Sequence, residues 1–232
     1  MFHFKHFSLS DEKSAMKVGM DAVLLGTWVN VPLSGSILDI GTGTGILALM
    51  MAQRSSADID AVEIDEGSAE EALQNIELSP WKERISIFPL DVREFATNPS
   101  RSYDLIISNP PFFSNSLKSL DDNRNKARHD VKLPLEIFMS SVHNLLSQTG
   151  KLAVIVTVES HSRWVREASA IGLYPVRKSS VVSKQGKKAN RIMLEFQRGF
   201  HDCDESTLMV CDGNGQYTEA YKSLTADFYL GL

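Results

Sequence analysis

From residue 36 onward, short β-branched and apolar runs alternate with amphipathic stretches of helical length. This alternation is typical of β-α-β units, in which the connecting helices cover both faces of a largely parallel sheet. With 232 residues, 43% of them apolar, the chain is long enough to bury one core of this kind. The sequence therefore predicts an α/β protein with a Rossmann-like three-layer α/β/α sandwich. We expect seven mostly parallel strands with an antiparallel edge hairpin.

The individual elements follow from the same patterns. Strands are predicted over residues 36–40, 59–64, 85–88, 103–108, 152–158, 176–182 and 192–196, the last two forming the hairpin. Helices are predicted over residues 20–29, 46–52, 67–78, 135–146 and 162–171. A polar, charged stretch over residues 114–132 predicts a mobile loop. We interpret residues 1–35 as an N-terminal extension, 36–200 as the core and 201–232 as a C-terminal tail of one domain.

Composition excludes several classes of protein. The mix of residues excludes collagen, coiled coils and low-complexity disorder, and only Cys203 and Cys211 are available for disulfides. So few cysteines favour a reducing compartment, although a bridge between these two stays open. No signal peptide and no apolar run of bilayer length is evident. The spacing of His3 and His6 would suit a metal, but no third ligand accompanies them in the sequence pattern. We expect a cytoplasmic monomer without a metal or a membrane partner.

A glycine-rich turn joins the first core strand to the helix that follows it. Asp39 precedes Gly41, Gly43 and Gly45, and glycines let the backbone approach a ligand closely. Glu63 ends the next strand, 24 residues after Asp39, where a carboxylate can accept hydrogen bonds from ribose hydroxyls. Together these residues predict a site for an adenosine-bearing cofactor.

The choice of cofactor depends on the spacing of the glycines. Nicotinamide, flavin and S-adenosylmethionine domains all use this corner of the sheet. The pattern here is GxGxG rather than the pyrophosphate fingerprint GxGxxG, and S-adenosylmethionine carries no phosphate. Its hydroxyls, amine and ammonium suit the strand-end carboxylates of Asp39, Glu63 and Asp91, with Asp91 assigned to adenine. The alternative for Asp91 is a loop cap.

The most specific feature is the sequence Asn109-Pro110-Pro111-Phe112, which follows a predicted strand. Two prolines stiffen the loop, and the Asn109 side chain and the Pro110 carbonyl supply acceptors. These acceptors can hold both N–H groups of an aromatic exocyclic amine and turn its lone pair toward a methyl donor. Phe112 can stack on a planar substrate. The alternative is a rigid turn with Phe112 as core filler.

These motifs, in this order, resemble class I S-adenosylmethionine-dependent methyltransferases that modify amino groups. Further stretches resemble the bacterial tRNA (adenine-N6)-methyltransferase family, which modifies adenosine 37 of a valine tRNA. They are residues 4–7, 16–26, 128–129, 186–191 and 217–230. The resemblance extends over nearly the whole chain.

The resemblance implies methyl transfer to adenine N6 in tRNA, with residues 109–112 as the catalytic loop. It also implies that residues 17–21 line the cofactor pocket as a lid-side motif, so Lys17, Asp21 and Asn109 are assigned to the cofactor site. Met20 departs from the pattern, which has a small hydroxyl residue there. Guanine-N2 and protein-glutamine methyltransferases share such loops and remain alternatives. A nicotinamide-dependent reductase and a non-catalytic RNA-binding scaffold are alternatives of other classes.

RNA binding by this chain must be local, because its formal charge is −5. Residues 177–198 hold seven basic residues against Glu195 alone. A second cluster follows the catalytic loop and includes His129. The residues assigned to RNA binding are Arg124, Lys126, Arg128, Lys184, Lys187, Lys188 and Arg191. The alternatives are edge-strand protection by lysines for the first cluster and a solvated face for the second.

Overall fold

The computed structural model describes residues 1–14, 17–110 and 133–231. The strands are β1 (Phe2–His3), β2 (Ser8–Leu9), β3 (Ser36–Ile40), β4 (Asp58–Val62), β5 (Ile85–Phe88), β6 (Tyr103–Ser108), β7 (Leu146–Thr157), β8 (Leu173–Lys184), β9 (Arg191–Arg198) and β10 (Asp204–Cys211). The helices are α1 (Met20–Trp28), α2 (Ile46–Arg54), α3 (Glu66–Glu77), α4 (Val92–Phe95), α5 (Leu135–Leu145), α6 (His161–Ala170) and α7 (Glu219–Thr225). Every strand and helix predicted above is present. The predicted loop over residues 114–132 lies outside the described residues.

Within the described residues, the main sheet has eight strands in the order β10-β8-β9-β7-β6-β3-β4-β5. The strands from β3 to β7 pair in parallel, and β9 is antiparallel to both β7 and β8. The prediction of seven strands was wrong because β10, in the predicted tail, pairs in parallel with β8. The β8–β9 hairpin therefore lies one strand inside the edge. The first half of β10 is charged or polar, and only its second half buries apolar side chains.

Helices cover both faces of this sheet, which confirms the three-layer sandwich. Neighbouring residues of β3 point to opposite faces, so Ile37 and Leu38 belong to different buried clusters. Helices α1, α2, α3 and α7 pack on the Ile37 face, and α4, α5 and α6 pack on the Leu38 face. Both residues are fully buried.

The strand order changes direction at β3, beside the carboxyl ends of the parallel strands. The chain runs from β3 outward through β4 and β5, then returns to β6 on the other side of β3. Ligands of open α/β sheets bind at such a point, beyond the carboxyl ends of the strands. Because β9 is antiparallel to both of its neighbours, β8 runs in the same direction as β7. The turn at residues 185–190 therefore lies beside the carboxyl ends of the parallel strands. We call this side of the sheet its carboxyl edge.

The two termini of the chain pack against each other. The Lys5 N–H donates to the Phe228 carbonyl at 2.8 Å, and Lys5 Nζ donates to the Ala226 carbonyl at 2.6 Å. The rings of Phe4 and Tyr229 stack with centroids 5.8 Å apart. The N-terminal β1–β2 hairpin is thus fixed to the segment that follows α7.

Candidate active site

The glycine turn between β3 and α2 is built on backbone that only glycine adopts without strain. Gly41, Gly43 and Gly45 have φ values of 72°, 56° and 82°. A Cβ on Gly45 would lie 3.5 Å from the Cα of Ala72, so this glycine also allows α3 to pack closely. Among the described residues, nothing lies within 4 Å of the place a Gly41 Cβ would take. The turn therefore leaves open space beside Gly41.

Glu63, at the end of β4, is bonded to the glycine turn. Its Oε2 accepts from the Gly43 N–H at 2.9 Å and its Oε1 from the Asp65 N–H at 3.0 Å. Each carboxylate oxygen retains a second lone pair, so ribose hydroxyls can still bind there. Ile64, which the sequence analysis did not single out, is 57% exposed immediately after Glu63. It supplies an apolar surface beside the carboxylate.

Asp39 is completely buried at the end of β3. One oxygen, Oδ2, accepts from Thr42 Oγ1 at 2.6 Å and from the Ala48 N–H at 3.2 Å. The other, Oδ1, is buried and has no hydrogen-bond partner among the described residues. Burial raises the pKa of Asp39 to about 7, against the lowering effect of these hydrogen bonds and with a further rise from the charge of Glu63.

Asn109 lies directly after β6, beside the end of β3. The neighbouring Ser108 Oγ donates to the Ile40 carbonyl at 2.7 Å, which joins the ends of the two strands. The Asn109 Oδ1 is buried and unpartnered within the described part of the chain. Pro110 is buried as well, whereas Pro111 and Phe112 lie outside the described residues.

Asp39 Oδ1 and Asn109 Oδ1 are two of the buried oxygens that lack a partner among the described residues, and they provide a test of the predicted ligands. Buried polar atoms are nearly always hydrogen-bonded, so an exception calls for an explanation. Here Asp39 Oδ1 and Asn109 Oδ1 occur at the ends of paired strands, beside a glycine turn with open space. A ligand with N–H donors would satisfy both oxygens. The residues present therefore fit an ammonium-bearing cofactor together with an amine substrate.

Asp91 forms the N-cap of helix α4 and accepts from the Arg93 N–H at 2.8 Å. The Arg93 guanidinium also binds both of its carboxylate oxygens, at 2.5 to 3.0 Å. This hydrogen-bonded arginine lowers the pKa of Asp91, so the carboxylate stays ionised near neutral pH. The capping alternative is thus present in the structure, and the role of Asp91 toward adenine stays a prediction.

The lid-side residues have protein partners. Lys17 Nζ donates to the Asp11 carbonyl and, at 3.3 Å, to the Glu12 carbonyl. The Asp21 carboxylate accepts from Arg191 Nε at 2.8 Å, which links the first turn of α1 to the first residue of β9. Arg191 was assigned to RNA and Asp21 to the cofactor, and the structure pairs them with each other.

The basic cluster of residues 177–198 divides into two groups. Arg177 and Lys178 form ion pairs with glutamates, Arg191 pairs with Asp21, and Arg198 donates to backbone carbonyls. Three lysines in and beside the 185–190 turn are exposed and have no ion pair within the residues that the structure describes. They are Lys184, Lys187 and Lys188. Arg124, Lys126, Arg128 and His129 lie outside those residues.

Neither a metal-ligand cluster nor a membrane-spanning helix occurs in the described ranges. No group of three or more metal-ligating side chains occurs among residues 1–14, 17–110 and 133–231. Within the same ranges, no helix has the length and apolar character needed to cross a bilayer. The two cysteines are free thiols.

Comparisons with known proteins agree with this geometry. The methyltransferase small domain family matches residues 14–164. A tRNA1(Val) (adenine(37)-N6)-methyltransferase of Bacteroides fragilis is 44% identical over 232 residues, covering all of this chain and 98% of that protein. The chain belongs to this methyltransferase family. A relative of the same name from Flavobacterium psychrophilum is 41% identical, with both chains covered completely.

Solved methyltransferase structures share the fold at low sequence identity. A predicted O-methyltransferase from Agrobacterium tumefaciens has a TM-score of 0.69 at 20% identity, covering 90% of this chain and 96% of that one. A glycopeptide N-methyltransferase solved with S-adenosylmethionine has a TM-score of 0.56 at 12% identity, covering 77% and 95%. At such identities the likeness establishes the fold alone. Family membership decides against the reductase alternative.

Proposed function

We propose that this protein transfers a methyl group from S-adenosylmethionine to the N6 amine of an adenine in tRNA. Adenosine 37 of a valine tRNA is the target, as in the names of its full-length relatives. A tRNA substrate also favours a cytoplasmic location. The observation that carries the proposal is the buried Asn109 Oδ1 at the end of β6, which has no hydrogen-bond partner within the described part of the chain.

Asn109 would act on the amine by orientation and electrostatics. The lone pair of an aromatic amine is delocalised into the ring, so the free amine is a poor nucleophile. Oδ1 accepts one N–H and favours the pyramidal form, in which the lone pair is available for attack. It also stabilises the positive charge that develops on nitrogen as the methyl arrives, and the proton leaves afterwards. The carbonyl of Pro110 is the proposed second acceptor.

The cofactor, when bound, supplies an electrophilic methyl group on a sulfonium. Asp39 Oδ1 is the proposed acceptor for the methionine ammonium, since it is a buried acceptor without a partner among the described residues. Glu63 would hold the ribose hydroxyls, with Ile64 beside the adenine ring. Gly45 is the N-cap of α2, and the positive end of the helix dipole there suits the methionine carboxylate.

The tRNA would lie along the carboxyl edge of the sheet. Lys184, Lys187 and Lys188 are exposed on this edge, and long flexible ammonium side chains suit contacts with phosphates. Asn109 lies on the same edge because β6, β7 and β8 share one direction. The adenine must leave its stack to reach Asn109, as bases do in other base-modifying enzymes.

A nucleoside assay tests the proposal. Undermodified tRNA is incubated with the protein and S-adenosylmethionine, digested, and analysed by mass spectrometry. We expect N6-methyladenosine at position 37 of the valine tRNA. Detection of N2-methylguanosine, or methylation of a protein glutamine in place of RNA, would assign the site to an alternative substrate. Absence of any transfer would favour the non-catalytic scaffold.

A further inference from the structure

Helix α3 buries two polar side chains on one face. Glu71 and Asn75 are four residues apart, so they lie on the same side of the helix, and each is only 2% exposed. Burying a carboxylate is unfavourable unless hydrogen bonds replace its water. Their partners therefore indicate what the two side chains stabilise.

Those partners belong to the N-terminal segment of residues 10–14. Glu71 Oε2 accepts from the Ser14 N–H at 2.7 Å, and Oε1 accepts from the Lys13 N–H at 3.0 Å and from Ser10 Oγ at 3.1 Å. Asn75 Oδ1 accepts from the Ser10 N–H at 2.7 Å. The Asn75 amide donates back to the Ser10 carbonyl at 2.9 Å. Glu71 and Asn75 thus form five hydrogen bonds with this segment.

The same contacts reach the glycine turn. Asn75 Nδ2 donates to the Thr44 carbonyl at 2.9 Å, inside the turn itself. Ser14 Oγ lies 3.6 Å from the place a Cβ would take on Gly43, and 3.4 Å from Ser68 Oγ. The N-terminal segment therefore packs over the middle of the turn.

The charge state of Glu71 agrees with this arrangement. Burial acts to raise the pKa of Glu71, but hydrogen bonds from the backbone N–H groups of residues 12–14 and from the Ser10 hydroxyl together outweigh it, and the pKa lies below its ordinary value. Glu71 is therefore ionised at neutral pH, and its bonds to the segment are charge-assisted.

We propose that Glu71 and Asn75 are positioning residues for the cofactor, which hold residues 10–14 against the glycine turn and so shape one wall of the pocket. This inference rests on the proposed function, because it assigns the turn to S-adenosylmethionine. Neither residue contacts the reacting amine. Their loss weakens cofactor binding and leaves the methyl-transfer step unchanged.

Glu71→Gln tests the inference, with Glu70→Gln as a matched control. Both changes neutralise a glutamate on α3, but Glu70 forms only a half-exposed ion pair with Lys13. Glu71→Gln replaces one acceptor oxygen with an amide donor that faces a backbone N–H. We expect the Kd and KM for S-adenosylmethionine to rise about tenfold. The kcat at saturating cofactor and the KM for tRNA should stay within about twofold of wild type, as should all constants of Glu70→Gln.

Amide hydrogen exchange supplies a direct readout of the segment. Glu71→Gln should speed exchange at Lys13 and Ser14 in the free protein. Ser10→Ala, which removes only the hydroxyl donor to Glu71, gives a milder variant that keeps the test valid if Glu71→Gln does not fold. We expect a rise of about twofold to threefold in the Kd for S-adenosylmethionine.

The possible failures are distinguishable by calorimetry with S-adenosylmethionine. If Glu71→Gln and Ser10→Ala bind S-adenosylmethionine as tightly as wild type does, the positioning role is wrong and the proposed function stands. A parallel fall of kcat and kcat/KM would also overturn it, since that pattern indicates a direct role in the transition state. Wild-type protein that binds no S-adenosylmethionine would overturn the proposed function, and this inference with it.

Discussion

The two halves of the carboxyl edge are built differently. In the half formed by β3, β4 and β5, polar side chains such as Glu63 and Asp39 are fixed by backbone N–H groups. In the half that ends in the 185–190 turn, Lys184 and Lys187 are exposed and lack ion pairs within the described residues.

This difference follows from the ligands proposed for each half. A small cofactor has one bound shape, so a rigid site avoids the cost of ordering side chains at each binding event. An RNA backbone presents repeated phosphates whose positions vary, and mobile ammonium groups can follow them. Asn109 lies between the halves, where the methyl donor and the base must meet.

Removing the Asn109 side-chain oxygen, which lies between the two halves, should lower activity more than any other change. In Asn109→Ala we expect kcat to fall about 100- to 1,000-fold, because the amine loses the group that orients it and stabilises its charge. The Kd for S-adenosylmethionine should change less than about threefold. Single-turnover methylation and calorimetry measure the two quantities. Full activity in this variant would sink the proposed role of Asn109.

Removing charge from the basic half should weaken tRNA binding. For Lys184→Ala, Lys187→Ala and Lys188→Ala combined, we expect the tRNA Kd to rise about 100-fold at moderate salt and the salt slope to fall by about three. The control, Lys82→Ala with Lys222→Ala, removes surface charges that form ion pairs elsewhere. Filter binding at several salt concentrations measures both. An unchanged salt slope would show that these lysines do not contact phosphate.

In the half formed by β3, β4 and β5, the affinity for S-adenosylmethionine should depend on pH through Asp39. Its pKa near 7 leaves it mostly protonated at pH 6, and an ammonium ligand binds the ionised form better. Affinity for S-adenosylmethionine should therefore rise about fivefold to tenfold between pH 6 and about pH 7.5. Calorimetry in matched buffers measures this slope, and Asp39→Asn should abolish it while binding more weakly. A flat profile in wild type would contradict the ammonium contact.

The same shift has a consequence for stability. Because the folded-state pKa of Asp39 is raised, its contribution to stability is fully present below the ordinary value of 3.8 and is lost as the pH rises through about 7. Asn in its place can keep the Thr42 and Ala48 bonds through one oxygen. Asp39→Asn should therefore lose less stability than wild type between pH 6 and pH 8 in urea unfolding.

The smallest effect is expected at the ion pair that joins the first turn of α1 to the first residue of β9. The side chains of Asp21 and Arg191 are 24% and 25% exposed, so solvent screens much of their attraction. Asp21→Asn should lower the free energy of unfolding by about 0.5–1 kcal/mol, and less at high salt. Urea titration at two salt concentrations measures the loss. A salt-independent loss would mean that hydrogen-bond geometry, rather than charge, holds this contact.

Much of the fold was predictable because local pattern and tertiary structure agree. The strands at residues 85–88 and 103–108 have the predicted bounds, since both are short segments rich in isoleucine and aromatic residues. β10 was missed because its first half is charged or polar, so pairing with β8 rather than local pattern determines it. Helix α4, of four residues, is too short to show a period.

The site was predictable only in part. The positions of Asp39, Glu63 and Asn109 at strand ends follow from the motifs, but their hydrogen bonds do not. Glu71 and Asn75 were missed because a polar pair on a helix is usually solvated. Their only sequence signal is that they accompany small and apolar residues, Ala72 and Ile76, on one helical face.

The contact between the termini has a consequence for how the chain could be reconnected. Residues near both ends are bonded directly, through Lys5 and Phe228, so a short linker could close the polypeptide into a ring. New ends could then be opened at the exposed 185–190 turn. Such a permuted enzyme would have its new N- and C-termini beside the proposed RNA path, where an appended RNA-binding domain could bind a chosen transcript.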